Sequence, residues 1–117
     1  MDIVYRVQDR EGRGPFKPGF SHRWVQDRPD LENLQPWYVE FGRVDSQVLT
    51  GSTCGSACRT LEQLRRWFLK NEYATLQAFG YFAVEISVDR VIAESRVQCF
   101  VSRALPFNVD LNQVRLY

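Results

Sequence analysis

Thr60-Leu61-Glu62-Gln63-Leu64-Arg65-Arg66-Trp67-Phe68 is the stretch that decides the fold class. Threonine followed three residues later by glutamine is the pattern of a capping box, in which two orphan N–H groups at a helix start are satisfied reciprocally. Leu61, Leu64 and Phe68 then share one face at helical spacing, with Trp67 beside them. Arg65, Arg66 and Lys70 fall toward the other face or the C-terminal end, where cations suit the helix dipole. Asn71 is placed to end this helix and cap a second one carrying Tyr73, Leu76 and Phe79, with Gly80 at the position that closes a helix in the left-handed conformation. The apolar residues predict that the 60–79 region packs on a sheet through Leu61, Leu64, Phe68 and Leu76.

Outward from this helical block, the pattern changes period. After Gly80, Phe82, Val84, Ile86 and Val88 alternate with Ala83, Glu85 and Ser87, which predicts a strand from Tyr81 to Val88 with one face buried. Residues 89–95 read as a turn and Val97 to Arg103 as another strand. The tail after Pro106 carries Phe107, Val109, Leu111 and Val114, and is apolar enough to pack back on the domain. Toward the N-terminus, residues 2–8 read as a strand with Ile3, Tyr5 and Val7 on one face and Val4 opposite. A Gly- and Pro-rich loop follows to about Arg23, then a short extended piece at Trp24-Val25 and a polar surface connection over 26–36. Trp37 to Phe41 is aromatic and β-branched enough to predict a strand ending at Gly42. Val44 to Thr50 is expected to be extended, and Gly51 to Ser56 a loop. A strand first, helices in the middle and strands last give an α+β protein, with a small mixed or antiparallel sheet and one or two central helices. No linker, repeat or low-complexity tract interrupts residues 1–117, so one domain is expected.

Composition narrows the function. The chain has 117 residues, 44% of them apolar, 25% charged, with a net charge of +1. That balance argues against disorder, which needs low hydrophobicity with high net charge, and against capture of duplex nucleic acid, which needs a basic face. No apolar run is long enough to span a bilayer, and the N-terminus lacks the basic-then-apolar order of a signal peptide; a cytoplasmic setting is expected. Cys54, Cys58 and Cys99 are expected to be reduced and structural. The C-x3-C spacing of Cys54 and Cys58 is neither a redox motif nor a zinc knuckle, and His22 is the only histidine, so no metal site is expected.

Each chemically suggestive group also has a plainer account. Gly12-Arg13-Gly14-Pro15 resembles an anion cradle, but Pro15 has no N–H and the phosphate-loop pattern is absent; a solvated turn is the expected account. Arg6 lies inside an apolar strand, so it points either to solvent or into a polar cleft. Ser21, His22 and Asp27 lack a nucleophile elbow, and Asp27, Asp30 and Glu32 read as loop carboxylates. Arg59, Arg65, Arg66 and Lys70 fit contact with RNA or an acidic protein, but a solvated helix face is the plainer account. Trp24, Trp37 and Tyr38, close to prolines, fit an interface hot spot or the core.

The order of motifs resembles small uncharacterised proteins encoded by tailed phages. The residues that carry it are Val4-Tyr5-Arg6-Val7-Gln8-Asp9-Arg10-Glu11-Gly12-Arg13-Gly14-Pro15, the Leu61-to-Phe68 helix, Gly80-Tyr81-Phe82-Ala83-Val84 and Val97-Gln98-Cys99-Phe100. The arrangement is also distantly similar to minimal ADP-ribosyltransferases. That resemblance implies NAD as cofactor, with Arg6 holding the dinucleotide, Thr60 on the nicotinamide-ribose side and Gln98 or Glu94 at the catalytic position. A carboxylate there would stabilise the cationic ribose. Gln98 is not a carboxylate, Glu94 falls in an expected turn and Thr60 is occupied as a cap.

Two functions follow from these resemblances. One is a phage or mobile-element accessory protein that needs no cofactor and inhibits a host protein, such as a CRISPR effector, through Trp24, Trp37, Tyr38, Arg65 and Arg66. The other is a mono-ADP-ribosyltransferase that modifies a host protein or nucleic acid. They separate on whether Arg6, Thr60 and Glu94 or Gln98 converge on one cleft. Direct nucleic-acid or membrane binding is not expected of the inhibitor, and the oligomeric state is open.

Overall fold

Strand β1 (Asp2–Gln8) pairs antiparallel with β3 (Phe82–Val88), which pairs on its other side with β6 (Leu111–Gln113). A second antiparallel sheet has the order β2 (Thr53–Ala57), β5 (Cys99–Arg103), β4 (Arg90–Glu94). Among the described residues, the α-helices α1 (Trp37–Glu40), α2 (Leu61–Trp67) and α3 (Lys70–Ala78) complete an α+β fold. The computed structural model describes residues 1–26 and 28–117.

Two apolar clusters hold these layers. Val4, Val84, Ile86 and Val88 on one face of the first sheet meet Ala57, Cys99 and Val101 of the second, with Phe107 among them. On the opposite face, Val7 and Ala83 meet Leu64, Trp67, Phe68 and Leu76 from the helices, together with Trp24 and Leu116. The helical face predicted from spacing is the buried one. Thr60 accepts from the Gln63 backbone N–H at 3.1 Å, and Gln63 returns the bond as a capping box. The break between α2 and α3 comes at Phe68-Leu69, ahead of Asn71. There Glu72, fully buried, accepts from the backbone N–H groups of Leu69 and Gln26, and lies 3.6 Å from Arg28. The carboxylate thus caps α3 and ties it to the N-terminal loop.

Several expectations are corrected. Residues 37–40 form a helical turn, where aromatic and β-branched content suggested a strand; Phe41 N–H closes it onto the Trp37 carbonyl at 2.8 Å. Val44–Gln47 is a 3-10 turn, and Trp24-Val25 closes another at Ser21–Arg23. Residues 53–56, expected as part of a loop over 51–56, belong to β2, where Gly55 and Ser56 pair with Val101 and Phe100 and a Cβ at Gly55 would meet Arg6 and Phe107. Residues 90–94, read as turn, form β4. The tail does pack back, as β6 beside β3.

Candidate functional site

Beside their packed faces, the two sheets are joined by an isolated β-bridge. Tyr5 and Cys58 exchange backbone hydrogen bonds of 2.8 and 2.9 Å. Beyond this pair β1 and β2 diverge, and a cavity of about 310 Å³ opens between them. Its floor includes Arg6, Ser56, Cys58 and Trp67, and its rim Phe16, Trp37 and Tyr38. Gln98, at the entry to β5, lines the side.

Arg6 reaches this cleft by strand periodicity. With Val4 and Gln8 it occupies the face of β1 turned toward the second sheet, and it is 8% exposed. Its Nε donates to Gln8 Oε1 (3.0 Å), Nη1 to the Ser56 carbonyl (2.5 Å) and Nη2 to the Gly12 carbonyl (3.2 Å). Its guanidinium lies over the Phe107 ring. No carboxylate pairs with it among the described residues. Burial, then repulsion from Arg103, lowers its pKa to about 10, so it remains a cation at neutral pH. Gly55 makes room for it, since a Cβ there would lie 2.8 Å from Nη1.

Gln98 is buried and donates through Nε2 to the Gln35 carbonyl (2.7 Å) and to Glu40 Oε1 (2.8 Å). It thereby fastens α1 to the start of β5. Trp37 stacks on buried Phe100 at 4.3 Å between centroids, and Tyr38 projects from the same helix at 62% exposure. On the opposite bank Phe16 packs on Trp24, Trp67 and Phe68.

The structure therefore brings Arg6, Gln98, Trp37 and Tyr38 to one cleft. It does not bring Thr60 or Glu94 there. The Thr60 hydroxyl is held as the α2 cap, and Glu94 ends β4 in an ion pair with Arg59 at 2.8 Å, which Asp2 also joins. Trp24 is a core residue at 3% exposure, its indole N–H donating to the Pro15 carbonyl, so it is not a surface aromatic. Arg65 and Arg66 are exposed on α2; Arg65 donates to the Leu116 carbonyl and fastens the tail.

The 12–15 loop is a turn organised by Asp9, whose carboxylate accepts from the Glu11 and Arg13 N–H groups. Those amides point at an anion the chain already supplies, so the loop is not a phosphate cradle. Ser21 donates to the Lys17 carbonyl, and Asp27, the third member of that group, lies outside the described residues. The cysteines are free, Cys54 exposed and the other two buried; burial pushes Cys99 up to about 12 and Cys58 further. Among the described residues no three His, Cys, Asp or Glu side chains gather into a metal site, and no helix is long and apolar enough to cross a membrane.

A family model described as Bacteriophage T4 Y00F protein matches residues 1–110. The chain belongs to that phage family. Neither a curated protein nor a solved structure matches it. The part of this Y00F-family chain that is matched runs from β1 to the loop before β6. It includes every residue of the cleft, from Tyr5 to Gln98. The motif order that suggested a phage protein was therefore informative at family level.

Sequence reasoning missed Ser56, Gly55 and Phe16 as cleft residues. The available signal was the parity of β1: Val4, Arg6 and Gln8 alternate on one face, so a buried Val4 carries Arg6 inward with it.

Proposed function

We propose that this phage-family protein is an accessory protein that acts by binding and inhibiting a host protein in the host cytoplasm, with the mouth of the cleft as its contact face. The observation that carries this reading is α1. None of its four residues is buried, and it holds Tyr38 and Val39, more than half exposed, beside a cavity whose other bank is Phe16. Exposed aromatics around a pocket are the composition of an interface hot spot. A host defence component such as a CRISPR effector is the target class to test first, given the phage family. No cofactor is needed for this action.

The experiment compares wild type with Tyr38→Ala and Arg66→Ala in affinity capture from host lysate, followed by titration of the captured partner. Tyr38→Ala is expected to weaken the complex by about 2 kcal/mol or more, the cost typical of a central aromatic anchor. Arg66→Ala, away from the cleft lining, is expected to leave it within about threefold. Equal affinity of wild type and Tyr38→Ala overturns the reading.

A second reading, a mono-ADP-ribosyltransferase, is favoured by one observation: Arg6 and Gln98 face the same cleft from different sheets. In it Arg6 would hold NAD and Gln98 would stand at the catalytic position. Against it, no carboxylate lines the cleft among the described residues, and a cavity of about 310 Å³ is at the small end of ligand sites. Intact-mass measurement of the captured partner after incubation with NAD separates the two. An adduct that depends on Arg6 replaces the first reading with the second.

A further inference from the structure

Resting on the binding reading, we infer that the cleft is an anchor site for an acidic side chain, glutamate or aspartate, of the host partner, whose carboxylate pairs with Arg6. Among the described residues that line the cavity, Arg6 is the one that carries a charge. A buried cation with no anion near it is costly unless a partner supplies the charge. Three of the five guanidinium N–H groups are used within the fold, and one is left on each Nη. Guanidinium N–H groups are donors of the kind that a carboxylate takes in a charge-assisted pair.

The setting favours a side chain over a free dinucleotide. At about 310 Å³ the cavity admits a carboxylate side chain and is at the small end of ligand sites. Phe107 and the carbonyls of Ser56 and Gly12 hold the guanidinium in place, so little freedom is lost on binding. Phe16, Trp37 and Tyr38 surround the entrance and exclude water once a partner is seated, which strengthens a charge pair at the centre.

The test uses the full chain, nitrogen-15 labelled, and two blocked tripeptides, acetyl-Ala-Glu-Ala-amide and acetyl-Ala-Gln-Ala-amide, with ADP-ribose as the third probe. The glutamate peptide is expected to shift the Arg6 Nε–H and Trp67 indole signals and to bind at least about tenfold more tightly than the glutamine peptide. Tyr38→Ala, at an exposed position, is expected to weaken the glutamate peptide severalfold. Equal affinity of the two peptides, absence of binding by both, or tighter binding of ADP-ribose than of the glutamate peptide overturns the inference. Equal peptide affinities together with loss of host capture in Tyr38→Ala would remove this inference and leave the binding reading standing.

Discussion

The guanidinium of Arg6 lies 4.0 Å from the centroid of the Phe107 ring, and Arg103 approaches the same ring at 5.8 Å. Phe107 thus sits between two buried cations, and its carbonyl accepts from Gln8 Nε2 at 2.8 Å. Arg103 in turn donates to the carbonyls of Leu105, Pro106 and Val109, shaping the loop that delivers the ring. Truncation of this ring removes core packing and uncovers both guanidiniums. Phe107→Ala is expected to cost about 3–5 kcal/mol in urea unfolding, with Phe107→Leu recovering part of it. A loss under about 1 kcal/mol in Phe107→Ala would show that the arginines do not depend on the ring.

The helical face read from 60–68 makes a similar test at a different place. Leu64 is 2% exposed and belongs to the cluster with Trp67, Phe68 and Leu76. Leu64→Ala is expected to cost about 2–5 kcal/mol. Denaturant midpoints that place the cost under about 0.5 kcal/mol would mean that this face is not the packed one.

What was legible follows from which forces act locally. Capping at Thr60, the alternation in 82–88 and the strand at 2–8 are properties of a few consecutive residues, and the structure has them. β2 was not legible, because after Thr53 the run Cys54-Gly55-Ser56-Ala57 is small and weak in strand propensity; the pairing partner β5 makes it a strand. α1 was misread for the converse reason: Trp37 and Tyr38 favour strands, but Gln98, 58 residues on in sequence, holds the segment by donating to Glu40. The site was half legible. Arg6 stood out as a polar residue in an apolar strand, and Gln98 came only from the family resemblance. Ser56 and Phe16 belong to it only because two sheets part at Tyr5 and Cys58.

Thiol chemistry follows from burial. Ellman's reagent is expected to titrate one thiol, Cys54, in the native protein at neutral pH and all three after unfolding. Burial raises the folded-state pKa of Cys99 to about 12 and raises that of Cys58, against an ordinary value of 9.0. Below that ordinary value both folded and unfolded chains hold these protons, and the contribution to stability is complete. As pH rises through it the unfolded thiols ionise first, so stability falls progressively toward the folded pKa values. The slope is at most about 1.4 kcal/mol per pH unit for each thiol. Urea unfolding from pH 8 to about pH 11 should show this decline, and Cys99→Ala should make it shallower. A stability profile flat across that range would contradict the burial of both groups.

The two glycines that line the cleft respond differently to an added methyl group. At Gly14 a Cβ meets nothing within 4 Å. Gly14→Ala is therefore expected to change stability by less than about 1 kcal/mol, with a gain favoured because alanine restricts the unfolded chain. At Gly55 the same atom lies 2.8 Å from Arg6 Nη1 and 3.0 Å from Phe107 Cε2. Neither neighbour is free to retreat: the guanidinium is held by the Ser56 and Gly12 carbonyls, and the ring lies in the inter-sheet cluster. Gly55→Ala is expected to cost about 1–3 kcal/mol, as overpacking does, and to move the Arg6 Nε–H signal. Gly14→Ala should leave that signal in place. Equal thermal midpoints for the two variants, with Arg6 unmoved in both, would mean that Gly55 is not the space the arginine needs.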